Sequence, residues 1–228
     1  MTSRKIFPEV IILAAGLGSR MREIGIKTPK PLLPAQTDCL LKRQIEYFSS
    51  FAESISVTVG HRAEEVADAA MRYGADRVID VGEGKGNAQF LHHACIREIQ
   101  GNFLVVTCDN LMKFSPSAFE TLSEEGKVAN IMVSVNDTIG RSGDRLELTK
   151  DETFIHKISK EFSLRKLASG LQVINQSSLF ELPYSLENFN QFWDYQIMRR
   201  MLRVSSVTPT EWSCIDTPED LQMYFTQE

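Results

Sequence analysis

Two basic residues and one acidic residue stand where phosphate chemistry would need them. Arg20 closes a run of small residues, Leu13-Ala14-Ala15-Gly16-Leu17-Gly18-Ser19. Such a run lets a backbone turn sharply, approach a ligand closely and point its N–H groups outward as a nest for an anion. The guanidinium adds a planar fork that matches phosphate oxygens. Lys30 lies between Pro29 and Pro31; two flanking rings predict a stiff, extended backbone that aims the ammonium. Asp109 comes directly after the apolar run Phe103–Thr107 and Cys108. A carboxylate just past a buried strand sits at the ligand-binding edge of a sheet, and its oxygens suit Mg²⁺. Together these residues describe a polyphosphate site.

Two other glycine loops are excluded by residues. A dinucleotide fingerprint requires a third glycine where Met21 stands, and a P-loop requires Gly-Lys-Ser/Thr where the chain has Gly18-Ser19-Arg20. What remains resembles a known family. Leu13-Ala14-Ala15-Gly16-Leu17-Gly18-Ser19-Arg20-Met21, followed by Thr28-Pro29-Lys30-Pro31-Leu32-Leu33-Pro34, resembles the paired signature of the sugar-1-phosphate nucleotidylyltransferases, a group that includes phosphocholine cytidylyltransferase-like members. The resemblance implies that Leu13, Ala14, Ala15, Gly16, Leu17 and Gly18 bind the nucleotide, with Arg20 and Lys30 serving catalysis. Gly86-Asn87-Ala88 resembles the family's Gly-Thr-Ala turn, which implies base contact by Gly86 and Asn87. Gly170, in Ala168–Ile174, resembles the glycine-led strand behind the acceptor. Asp109 and Asp216 are implied as the ligands of a Mg²⁺ cofactor, Asp216 from the stretch Trp212-Ser213-Cys214-Ile215-Asp216-Thr217-Pro218-Glu219, where Cys214 replaces an acidic residue frequent in the family.

The implied activity is transfer of a nucleotidyl group from a nucleoside triphosphate to a sugar 1-phosphate, with release of pyrophosphate. A CTP-dependent enzyme acting on phosphocholine, a glycosyltransferase of similar fold and a non-catalytic nucleotide-sugar-binding relative remain as alternatives. For the phosphocholine case the aromatics Phe192, Trp193 and Tyr195 offer a cage, although helix aromatics more often pack in cores.

The elements that must position these residues follow from apolar periodicity. Buried strands are expected at Val10–Leu13, Ile55–Val59, Arg77–Ile79, Phe103–Thr107 and Ala129–Val135. Helices are expected over Cys39–Phe51, Arg62–Tyr73 and Ala88–Ile99 with Asn87 as N-cap, then from Ser115-Pro116, over Asn188–Leu202 and from a Thr217-capped Pro218. Arg145–Thr149 and Thr153–Ile158 read as a hairpin; the family resemblance implies an acidic–basic pair near its end, for which Lys157, Lys160 and Glu161 are the candidates, although charges of this kind more often form a solvated face. Strand–helix alternation predicts an α/β fold: one Rossmann-like three-layer domain over 1–228, with a mostly parallel central sheet and a small antiparallel insertion. The nucleotide-binding half would span about 1–110 and the acceptor-binding half about 111–228.

Bulk properties narrow the partners. A net charge of −5 gives no electrostatic case for nucleic acid or a membrane surface. No apolar run approaches the roughly 20 residues of a membrane span. The polar start Met1–Pro8 is unlike a secretory signal, and the four cysteines lack metal-binding spacing. A reduced, cytoplasmic protein ending with its transferase domain is expected, and no oligomeric state is implied.

Overall fold

A computed structural model of the protein describes residues 5–23, 25–35, 38–137, 140–183 and 186–226. In chain order the elements are β1 (Phe7–Leu13), α1 (Ser19–Glu23), β2 (Pro34–Ala35), β3 (Asp38–Cys39), α2 (Leu40–Phe48), β4 (Ala52–Val59), α3 (Ala63–Arg72), β5 (Arg77–Asp80), α4 (Ala94–Arg97), β6 (Phe103–Thr107) and β7 (Asn110–Lys113). There follow α5 (Ala118–Gly126), β8 (Asn130–Asn136), β9 (Arg145–Leu148), β10 (Ile155–Ser159), β11 (Lys166–Ile174), α6 (Phe189–Met198), β12 (Leu202–Val204), β13 (Glu211–Cys214) and α7 (Pro218–Thr226).

The main sheet runs β10-β9-β11-β6-β1-β4-β5, with β8 paired to β11 and β12 to β8. Strands β6, β1, β4 and β5 are parallel neighbours. This is the expected α/β architecture, helices covering both faces of a mostly parallel central sheet. Alternation along each strand divides the core in two. Val10, Ile12, Val57, Leu104 and Val106 face α2, α3 and α5, whereas Ile11, Ile79, Phe103 and Val105 face α4 and α6. The carboxyl ends of β1 and β6 therefore open side by side at one edge, and there the chain leaves for the glycine loop and for Asp109.

The second half of the chain joins through β11, which runs antiparallel to β6 and pairs with β8 and β9. Its register shifts between Ala168 and Gln172, around Gly170 at φ +90°. The hairpin β9–β10 forms as expected. Three expectations need correction. The helix expected over Ala88–Ile99 is a 3₁₀ turn, Gln89–His92, followed by the short α4, because extended His93 (ψ 138°) interrupts it. Asn87 caps neither piece. The helix expected from Ser115 begins at Ala118, whose N–H reaches the Ser115 carbonyl rather than its hydroxyl. Strands β7, β12 and β13 had no signal in the sequence pattern.

Candidate functional site

The glycine loop leaves β1 with its first amide already committed: the Ala14 N–H donates to the Thr58 carbonyl. The N–H groups of Ala15, Gly16, Leu17 and Gly18 donate to no acceptor among the described residues, which is the open nest that the small residues predict. Gly18 takes φ +59°, starts α1 by accepting from Met21 and Arg22, and would bring a Cβ to 3.2 Å from the Lys30 Cβ. The glycine thus allows loop and lysine to touch. Lys30 itself opens a single 3₁₀ turn, Lys30–Leu32, so its brace is a turn between two prolines rather than extended backbone.

The Lys30 ammonium sits between two carboxylates. Its Nζ donates to Asp109 Oδ2 at 2.6 Å and to Asp216 Oδ1 at 2.6 Å, and Arg20 pairs with the other oxygen of Asp216. Burial alone would pull the Lys30 pKa down, but Asp109 and then Asp216 outweigh it and leave it raised. Burial likewise pushes the Asp216 carboxyl up, yet Lys30 and then Arg20 hold it below the usual value.

Non-local pairing brings the two aspartates together. Strand β13 pairs antiparallel with β7, placing Cys214 opposite Asn110, and the Ile215 N–H donates to the Asp109 carbonyl at 2.9 Å. Beyond it, Asp220 Oδ2 accepts from the Asp216 and Thr217 N–H groups, while the Asp220 N–H donates to the Thr217 hydroxyl. The capping box expected at Thr217 is present, and it also fixes the backbone of Asp216. Cys214 stays a protonated thiol: burial first, then Asp109 and Asp216, push its pKa to about 12.

Two clefts meet at Asp109. One is lined by Leu13, Ala14, Ala15, Gly16, Lys30 and Asn87, with Thr58 and Phe90. The other is lined by Arg20, Asp216, Gly170 and Asn87, with Asp144, Lys160, Gln172, Trp193 and Trp212. Leu17 and Gly18 stand outside both linings. So does Gly86, where a Cβ would lie 1.8 Å from the Glu187 carbonyl oxygen; that glycine serves close packing against the chain entering α6. Asn87 Oδ1 accepts from the Phe189 N–H at 3.0 Å, joining its loop to the same helix start. At Gly170 a Cβ would meet Thr107 Oγ1 at 2.5 Å.

The aromatic cage does not assemble. Phe192 is fully buried in the core, and the Tyr195 hydroxyl donates to the Glu181 carbonyl outside the cleft. Of the three, only Trp193 reaches the second cleft, stacked on Phe189 with its indole N–H donating to Gln172. Lys160, expected on a solvated face, lines the cleft and pairs with Asp144 at 2.7 Å; Lys157 and Glu161 pair with each other on the exposed surface. Asp144 is a wall residue that no sequence motif singled out, and Gln172 and Trp212 lie in the stretches Ala168–Ile174 and Trp212–Glu219 without having been picked as site residues.

Residues 10–160 match the MobA-like NTP transferase domain. The chain belongs to that family. Curated relatives of the chain include the bifunctional protein GlmU of Methanococcus vannielii, 29% identical over 188 residues that cover 79% of this chain and 41% of the relative. The choline-phosphate cytidylyltransferase of Streptococcus pneumoniae is 30% identical over 105 residues, 46% of this chain and 45% of that protein. The chain thus spans about two-fifths of the length of the GlmU relative it matches. Among solved structures, HddC from Yersinia pseudotuberculosis superimposes with a TM-score of 0.75 at 19% identity, covering 96% of this chain and 98% of that one, a likeness of fold. Among the described residues no helix is long and apolar enough to cross a membrane.

Proposed function

We propose that the protein joins a nucleoside triphosphate to a phosphorylated small molecule, with a sugar 1-phosphate as the first choice of acceptor, and releases pyrophosphate. The observation that carries this reading is the Lys30 ammonium bracketed by Asp109 and Asp216 where two clefts meet. The triphosphate would lie in the first cleft, on the free N–H groups of Ala15 and Gly16, with its outer phosphates extending to Arg20 on the wall of the second cleft. The acceptor would lie in the second cleft with its phosphate towards Lys30. An acceptor phosphate oxygen attacks the α-phosphorus, the bond to the β-phosphate bridging oxygen breaks, and pyrophosphate leaves. Such a displacement asks the protein for alignment and charge neutralisation, not for a covalent nucleophile. Lys30 would neutralise the charge that develops at the reacting phosphates.

The donor set suits Mg²⁺. Asp109 and Asp216 offer carboxylate oxygens on either side of the Lys30 ammonium, and Cys214 beside them remains a neutral thiol, a poor partner for a hard cation. No group of three or more metal-binding side chains occurs among the described residues, so substrate phosphates and water would complete the coordination, as is usual for Mg²⁺. Asp109 and Asp216 would hold the ion, which when bound supplies charge neutralisation between nucleotide and acceptor.

Phosphocholine is the second reading, favoured by the Trp193–Phe189 stack in the second cleft. Against it, the Arg141 guanidinium already lies over the other tryptophan, Trp212, 5.1 Å from its centroid, and would repel a quaternary ammonium. A pyrophosphate-release screen of four nucleoside triphosphates against sugar 1-phosphates and phosphoalcohols tests both. Release with a sugar 1-phosphate supports the first reading, release confined to phosphocholine with CTP supports the second, and no release with any pair refutes both.

A further inference from the structure

Behind the second cleft lies an ion pair that the transfer centre does not use. Arg145, on β9, is 1% exposed, and the Asp137 side chain opposite it is fully buried. Withdrawing two charges from water costs more than their attraction returns unless further hydrogen bonds compensate. Here they do. Arg145 Nη2 donates to Asp137 Oδ2 at 2.5 Å and to the Arg141 carbonyl at 2.7 Å, and Nη1 donates to the Leu164 carbonyl at 2.7 Å. Asp137 Oδ2 accepts in addition from the Arg141 N–H at 2.9 Å. The Phe162 ring covers the guanidinium at 5.1 Å. One side chain therefore ties the segment preceding β9 to the segment between β10 and β11.

Both segments supply wall to the second cleft: Ser142, Gly143 and Asp144 from the first, Lys160 from the second. Arg141 is held at both its N–H and its carbonyl. No carboxylate among the described residues pairs with its guanidinium, which rests instead on Trp212 of β13, four residues before Asp216. The pair thus connects the acceptor wall with the strand that delivers Asp216.

We propose that Arg145 and Asp137 form the positioning pair of the acceptor cleft, latching Arg141 onto Trp212 and holding Asp144 and Lys160 in the wall. The inference rests on the reading of that cleft as the acceptor site. Arg145→Lys keeps a charge opposite Asp137 but loses the planar fork that spans Asp137, Arg141 and Leu164. The KM for a sugar 1-phosphate should rise ~10-fold or more, the scale of a wall displaced by a fraction of an ångström, while the KM for the nucleoside triphosphate stays put. Arg141→Ala, a surface change that leaves the buried pair intact, should show the same split and covers the case in which Arg145→Lys does not fold. Equal changes in both KM values, or no change in a folded variant, would overturn the proposal.

A second measurement stands apart from turnover. Trp193 and Trp212 are the two tryptophans of the chain, so Trp193→Phe leaves Trp212 as the sole reporter. Adding Arg145→Lys should then red-shift Trp212 emission and raise its quenching by acrylamide. Unchanged emission and quenching would refute the latch even if the wild type released no pyrophosphate with any substrate pair, an outcome that would by itself refute only the transferase reading.

Discussion

Lys30→Met removes the charge at the centre of the site while keeping most of the side chain's length. The Lys30 side chain is 15% exposed, and both of its partners lie at 2.6 Å. A hydrogen bond between charged groups contributes about 1.5–3 kcal/mol. Because Asp109 and Asp216 keep some contact with water, at 23% and 34% exposure, the lower value is appropriate, and the two contacts together come to about 3 kcal/mol. Removing one group that stabilises developing charge costs a similar amount in the transition state, about 2.7–4 kcal/mol, or 100- to 1,000-fold in kcat. The assay is pyrophosphate release at saturating nucleotide and acceptor, with thermal unfolding measured alongside to show that the variant is folded. Loss of at least ~100-fold in kcat is expected. A folded Lys30→Met or Lys30→Ala protein turning over near the wild-type rate would refute the assignment of Lys30 as a group that neutralises the reacting phosphates.

Three further outcomes follow from the same geometry. Arg20→Lys replaces a bidentate fork with a point charge, so binding of the nucleoside triphosphate should weaken while the monophosphate is little affected; calorimetry showing equal losses for both would place Arg20 elsewhere. Asp109→Asn and Asp216→Asn should each raise the Mg²⁺ concentration needed for activity, whereas Cys214→Ser should not and Cys214→Asp should lower it; an Asp216→Asn protein that titrates like the wild type would require another ligand. Gly170→Ala sets a side chain at φ +90° and within 2.5 Å of the Thr107 hydroxyl, so it should destabilise the fold by about 2 kcal/mol, and an unchanged melting temperature would contradict the bulge described around it.

The parallel half of the fold was legible because its signal is local. Apolar runs such as Phe103–Thr107 are long enough to read as buried strands, and the Thr217–Asp220 box announces its helix within four residues. The glycine loop and Lys30 were legible for the same reason: each is a short motif, the first freed by glycine to turn sharply and the second braced by two prolines. The convergence of Asp109 and Asp216 was supplied by resemblance alone, since the pairing of β7 with β13 that creates it joins segments 100 residues apart through strands of four residues each. Asn87 illustrates the limit of capping rules. Its side chain accepts from the start of α6 instead of from its own turn, because tertiary packing of Gly86 on Glu187 brings that N–H within reach. Lys160 reads as a surface charge from sequence and is 68% exposed as a side chain; only the fold of the hairpin turns it towards the cleft.

Direct transfer of a nucleotidyl group between the two clefts leaves no intermediate on the protein. Its most direct test follows label from an α-³²P-nucleoside triphosphate into product with and without a phosphorylated acceptor, measuring pyrophosphate in the same samples. Direct transfer should leave label in a nucleotide–acceptor diphosphate, pyrophosphate in equal amount, no label on the protein, and neither product when the acceptor is omitted. Pyrophosphate formed without acceptor, or label trapped on the chain, would contradict it.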